Sequence, residues 1–180
     1  MRICAEDTAG IVIDFQDKLT PAINNHEAIV KNTALLVQGF QELGVPFTVT
    51  QQYTKGLGET VAEIKDVITD FKHIEKTTFS CCGTQEFVDW VKATGKKTLI
   101  VCGVEAHICV MQTVVDLLGD GYRVFIAVDC VGSRVETNKE MALDRMKAEG
   151  ALLTSTEGAL FEMTVGAGTP HFKAISKLLK

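Results

Sequence analysis

Short β-branched apolar runs alternate with stretches of helical apolar period along the whole chain, and this alternation constrains the fold more than any other feature. The runs fall at 9–15, 45–50, 73–77, 98–102, 123–129 and 151–154. Apolar residues recur at helical spacing over 26–43, 61–64, 85–92, from 106 or 107 to 118, and over 138–149, 155–162 and 170–179. Glycines at Gly44, Gly119 and Gly150 mark helix ends. Strands that alternate with helices are joined by right-handed crossovers, so the expected class is α/β. The expected architecture is a three-layer α/β/α sandwich, Rossmann-like, around a six-stranded parallel sheet. No repeat, linker or low-complexity segment interrupts the pattern, and one domain over 1–180 is expected.

Composition narrows the function. A net charge of −5 over 180 residues argues against general nucleic-acid or membrane-surface binding. No apolar run approaches the ~20 residues of a membrane helix, and Met1-Arg2-Ile3-Cys4 carries no apolar signal core. Cys102 and Cys130 end apolar runs and read as small core residues, so six free thiols in a reducing cytoplasm are expected rather than a disulfide framework.

In a parallel sheet the ligand crevice lies beyond the carboxyl ends of the strands. Asp14 ends the first run, Lys76 closes the third, and Cys109 follows the fourth in the first turn of a helix. Each has an ordinary explanation: a cap or anchor for the acid, a solvated charge for the lysine, a buried filler for the cysteine. Together they form one chemistry, in which a carboxylate accepts a thiol proton and an ammonium stabilises the charges. The positive end of a helix dipole would further favour a Cys109 thiolate. Asp129 ends the fifth run and is expected to hold the loop 131–134, where Arg134 could pair with an acid.

Other candidates carry less. His107 is two residues from Cys109, off its helical face, and is a poor base for it. His26, His73 and His171 show no ligand spacing, so no metal is expected. Gly56-Leu57-Gly58 is too short for a dinucleotide fingerprint, and no cofactor is expected. Cys81-Cys82 is a vicinal pair whose ordinary reading is loop thiols; a redox-sensing role would lack a C-x-x-C motif.

The order Ile11-Val12-Ile13-Asp14-Phe15-Gln16, then Glu75-Lys76-Thr77-Thr78-Phe79-Ser80, then Cys102-Gly103-Val104-Glu105-Ala106-His107-Ile108-Cys109-Val110 resembles the isochorismatase-like cysteine hydrolases. Asp129, Ser133-Arg134 and Thr154-Ser155-Thr156-Glu157 fit the same pattern, which covers nearly the whole chain. The loop 51–58 is most similar to the isochorismatase domain-containing proteins. The resemblance implies the isochorismatase-like hydrolase fold and a triad of Asp14, Lys76 and Cys109. It also implies a cis peptide between Val104 and Glu105. Backbone N–H groups of Glu105 or Ala106 and of Cys109 would then form an oxyanion hole. Substrate contacts are expected from Phe15, Gln51, Tyr53 and Phe79, and homo-oligomers are common in the family.

Two departures shape the expected reaction. Family nicotinamidases carry an Asp and several His after the second strand for a metal; here the positions are Gln51, Gln52 and Tyr53, so no metal is carried over. Members acting on isochorismate can lack the cysteine, whereas this chain keeps Cys109. The expectation is a metal-independent hydrolase of a small amide or related acyl compound through a thioester, with a small-molecule substrate as partner. The alternative is a binding or scaffold protein on the same fold.

Overall fold

The computed structural model describes residues 2–180. Six strands form one parallel sheet: β1 (Thr8–Ile13), β2 (Phe47–Gln52), β3 (Ile74–Lys76), β4 (Thr98–Val104), β5 (Arg123–Gly132) and β6 (Leu152–Thr154). The helices are α1 (His26–Glu42), α2 (Thr54–Leu57), α3 (Ala62–Lys65), α4 (Gln85–Thr94), α5 (Met111–Gly119), α6 (Glu136–Ala148), α7 (Thr156–Thr164) and α8 (Phe172–Leu178). The strand order is β3-β2-β1-β4-β5-β6, so the winding reverses between β1 and β4. A crevice opens at such a reversal, and the chain leaving β1 and β4 lines it.

Strand period two fills two separate cores. Val12, Ile100, Cys102 and Phe125 pack on one face with Phe40, Leu160 and Ile175 from α1, α7 and α8. Ile11, Ile13, Leu99, Val101 and Ile126 pack on the other with Phe87, Val114 and Met146 from α4, α5 and α6. Both faces are covered, which is why the central strands read as unbroken apolar runs. At Gly103, φ is +148 and an added Cβ would lie 2.5 Å from Ile13 Cβ. Only glycine allows β4 to run that close to the end of β1, beside Asp14.

Three elements differ from the sequence expectation. The second strand continues through Gln52 instead of ending at Thr50, and α2 occupies much of what reads as a loop. Tyr53 makes the break between them with φ 39. The fifth strand passes Asp129 and runs to Gly132, because the β4–β5 register jumps from Val101↔Ile126 to Gly103↔Val131. Extra β5 residues bulge out there. Asp129 therefore sits inside the strand, and its carboxylate accepts the Thr156 N–H at 2.9 and 3.1 Å. It anchors the start of α7 rather than the loop 131–134.

Candidate active site

Asp14 follows β1 with φ 58, a left-handed conformation that aspartate tolerates better than most residues. Its N–H donates to Thr50 O at 3.2 Å, which fixes the turn against β2. The carboxylate is held at both oxygens: Thr50 Oγ1 donates to Oδ1 at 2.7 Å and Lys76 Nζ to Oδ2 at 2.7 Å. Lys76 also donates toward Gln52 Oε1 at 2.7 Å, Phe79 O at 3.1 Å and Thr78 O at 3.2 Å. Asp14 is 0% and Lys76 2% exposed. Burial works against the ammonium, but Asp14, Cys81 and Cys109 outweigh it and hold the Lys76 pKa above its ordinary value.

Cys109 completes the cluster. The segment Ala106–Val110 forms a wide turn in which Ile108 N and Val110 N both donate to Glu105 O, at 3.0 and 3.3 Å, before α5 begins. The Val104–Glu105 peptide is cis. The thiol is 6% exposed and faces the same cavity as the Asp14 carboxylate. Burial first, then the Asp14 charge, pushes its pKa up to about 12, against a smaller downward pull from Lys76. This corrects the expectation from the helix dipole: at neutral pH the resting group is a thiol, not a thiolate. Desolvation and the charge of the Asp14 carboxylate exceed what a helix terminus supplies.

Asp14 and Cys109 floor a cavity of about 130 Å³ whose wall is made by Leu19, Leu57, Phe79 and Ile108, with Gln52 and Glu105 as its remaining polar members; Lys76 stands behind Asp14 and does not line it. Larger hollows of about 940 and 510 Å³ lie along the β2–β3 edge and along α1, and neither is lined by Asp14, Lys76 or Cys109. Glu105 is tied down by Arg134: Nε donates to Oε1 and the backbone N–H to Oε2, each at 3.0 Å. His107 Nδ1 lies 2.9 Å from Ser133 Oγ, which joins the Cys109 turn to the end of β5.

Of the four residues expected to touch substrate, Phe79 is in the cavity wall. Phe15 is not: it is 0% exposed and packed in the α1-side core. Gln51 points away, its Nε2 donating to Thr60 Oγ1 at 2.9 Å. Tyr53 is exposed and its ring covers Gly56. Sequence reasoning missed Thr50 and Gln52, although the signal was available. In a strand, residues two apart share a face, so a β2 extended by two residues places Thr50 and Gln52 together and turns Gln51 to the other side.

Known proteins share this fold. The isochorismatase domain family matches residues 8–158. Isochorismatase domain-containing protein 2 of Danio rerio is 37% identical over 179 residues, covering 99% of this chain and 89% of that protein. Among solved structures, the MAR1 ribonuclease of Caenorhabditis elegans superposes with a TM-score of 0.94 at 36% identity, covering 99% of this chain and 92% of that one. YcaC from Pseudomonas aeruginosa, solved with hexane-2,5-diol and covalent acrylamide, gives a TM-score of 0.91 at 26% identity, covering 98% and 91%. A domain match over most of the sequence, a relative 37% identical along 89% of its length and a solved structure superposing with a TM-score of 0.94 all place this chain in the isochorismatase family of hydrolases.

Proposed function

We propose that the protein is a metal-independent cysteine hydrolase of small amides or related acyl compounds. The observation that carries this reading is the Cys109 thiol sharing one cavity with a carboxylate that Lys76 and Thr50 hold in place. As the sulfur attacks the substrate carbonyl carbon, its proton passes to Asp14 and the carbonyl π pair moves onto oxygen. Backbone N–H groups of the turn 105–109 stabilise that oxyanion. Collapse re-forms the C=O bond and breaks the C–N bond, and Asp14 gives its proton to the departing nitrogen. Water then loses a proton to Asp14, attacks the thioester, and the sulfur leaves and is reprotonated.

A thiol at about 12 suits this scheme, since the nucleophile forms only when Asp14 takes the proton in the reacting complex. The covalent acrylamide of the Pseudomonas aeruginosa YcaC structure supports an amide-sized electrophile. The C. elegans neighbour is a ribonuclease. For this chain, a cavity of about 130 Å³ and a net charge of −5 favour a small substrate over RNA. Assembly into a homo-oligomer belongs to the same proposal, supported by Leu152 and Leu153, which are 44% and 41% exposed on the edge strand β6.

A panel of small primary amides assayed with the wild type and with Cys109→Ala tests the reading. Turnover of at least one amide is expected, with a loss of about 10³-fold or more in the alanine variant. An alanine variant as active as wild type would remove Cys109 from the mechanism. Binding without turnover would favour the scaffold alternative.

A further inference from the structure

We infer that the site accepts acyl groups that are short, apolar and uncharged; this rests on the hydrolase reading above and deepens it. The inference comes from the charges in the cavity wall, all of which are committed to partners within the protein. Asp14 is neutralised by Lys76 at 2.7 Å and also accepts from Thr50. Glu105 is engaged at both oxygens by Arg134. The Lys76 ammonium is surrounded by acceptors from Asp14, Gln52, Thr78 and Phe79. Gln52 is used at both ends, its Oε1 by Lys76 and its Nε2 by Thr77 O at 2.9 Å. Among the described residues, no cationic side chain lines the cavity to pair with a carboxylate on a ligand, and the charges of its two carboxylates are balanced by Lys76 and Arg134. Lys18 and Lys55 are exposed and lie outside the wall.

A charged acyl group would therefore be desolvated against Leu19, Leu57, Phe79 and Ile108 with nothing to compensate it. An uncharged aliphatic group instead gains contact with Leu19, Leu57, Phe79 and Ile108. Size sets a second limit. A cavity of about 130 Å³ is small beside ordinary ligand pockets of roughly 300–1,000 Å³ and suits an acyl part of a few carbon atoms.

The test needs no known substrate. Iodoacetamide and iodoacetate deliver the same carbon to a thiol, with iodide leaving in both cases, and differ in charge. Cys4 is exposed and serves as an internal reference in the same molecule. Labelling at each cysteine is followed by peptide mass spectrometry on the full, reduced chain. The amide-to-acid rate ratio at Cys109 is expected to exceed that at Cys4 by about tenfold or more. Equal ratios at the two cysteines, or a preference for iodoacetate at Cys109, would overturn the inference while leaving a reactive nucleophile in place. If neither reagent labels Cys109 while Cys4 reacts, the site does not admit even a short uncharged amide and the inference is overturned, whereas the hydrolase reading is decided by the amide panel with Cys109→Ala.

Discussion

Replacing Lys76 with Met is expected to destabilise the protein by about 3–5 kcal/mol, as well as to stop turnover, because it strands the Asp14 charge in the interior. Both side chains are 0% exposed. The pair need not add net stability, since desolvating two ions offsets most of their attraction; the large cost arises when one partner is removed alone. Asp14→Asn is the matched change on the other side. Asn keeps the left-handed conformation at φ 58, so its effect reports the lost charge and not backbone strain. The double variant should then be more stable than the sum of the singles predicts, by about 2–3 kcal/mol. Urea unfolding of the wild type, the two singles and the double provides the cycle. Additive losses would mean that the two groups do not depend on one another.

Stability is also expected to fall steeply above about pH 9, driven by buried thiols. Cys81, Cys102 and Cys130 are each 0% exposed. Burial raises the Cys81 thiol from 9.0 to about 11 and the Cys130 thiol to about 12, and it holds Cys102 well above the ordinary value. For a group whose neutral form is favoured by folding, the folded chain keeps a proton that the unfolded chain releases once pH passes the unfolded value. The unfolded state then binds fewer protons, and stability decreases with pH. The window opens near the unfolded value of 9.0 and extends toward about 11 for Cys81 and about 12 for Cys130. One unit into it, each thiol costs about 1.4 kcal/mol, so the three together remove about 4 kcal/mol by about pH 10. Small proteins are stable by only ~5–15 kcal/mol, so the transition should be plain. Lys76 acts in the same direction at higher pH: its raised pKa supports folding below its ordinary value of 10.5 and that support is lost as pH climbs through the folded value. Cys102→Ala removes one ionising group and should flatten the curve by about 1.4 kcal/mol per pH unit. Curves for wild type and variant that stay parallel from about pH 8 to 10 would contradict this origin.

The residues proposed to carry the chemistry were legible because each stands at the edge of a local pattern. Asp14 follows β1, Lys76 ends β3, Cys109 lies in the turn after β4, and alternation alone brings such ends to one edge of a parallel sheet. What stayed hidden depended on register and on partners far along the chain. Ending β2 at Thr50 instead of Gln52 concealed the shared face of Thr50 and Gln52, and it put Gln51 where Gln52 belongs. Phe15 follows Asp14 directly, yet the left-handed turn at Asp14 precedes its burial in the core. The Glu105–Arg134 pairing spans 29 residues and crosses from the Cys109 turn to the end of β5, so no local period announces it. The state of the thiol was misjudged for a related reason. A helix terminus is visible in sequence, whereas the depth of burial and the nearby Asp14 charge that outweigh it are not.

Trapping the intermediate tests the central claim most directly. The protein is mixed with an uncharged short-chain amide, quenched in acid within the first turnover, and read by intact and peptide mass spectrometry. The expected result is an acyl adduct on Cys109 that is released by hydroxylamine and absent from Cys109→Ala. Turnover with no adduct at any quench time, together with an alanine variant that keeps the wild-type rate, would contradict a thioester mechanism at this site.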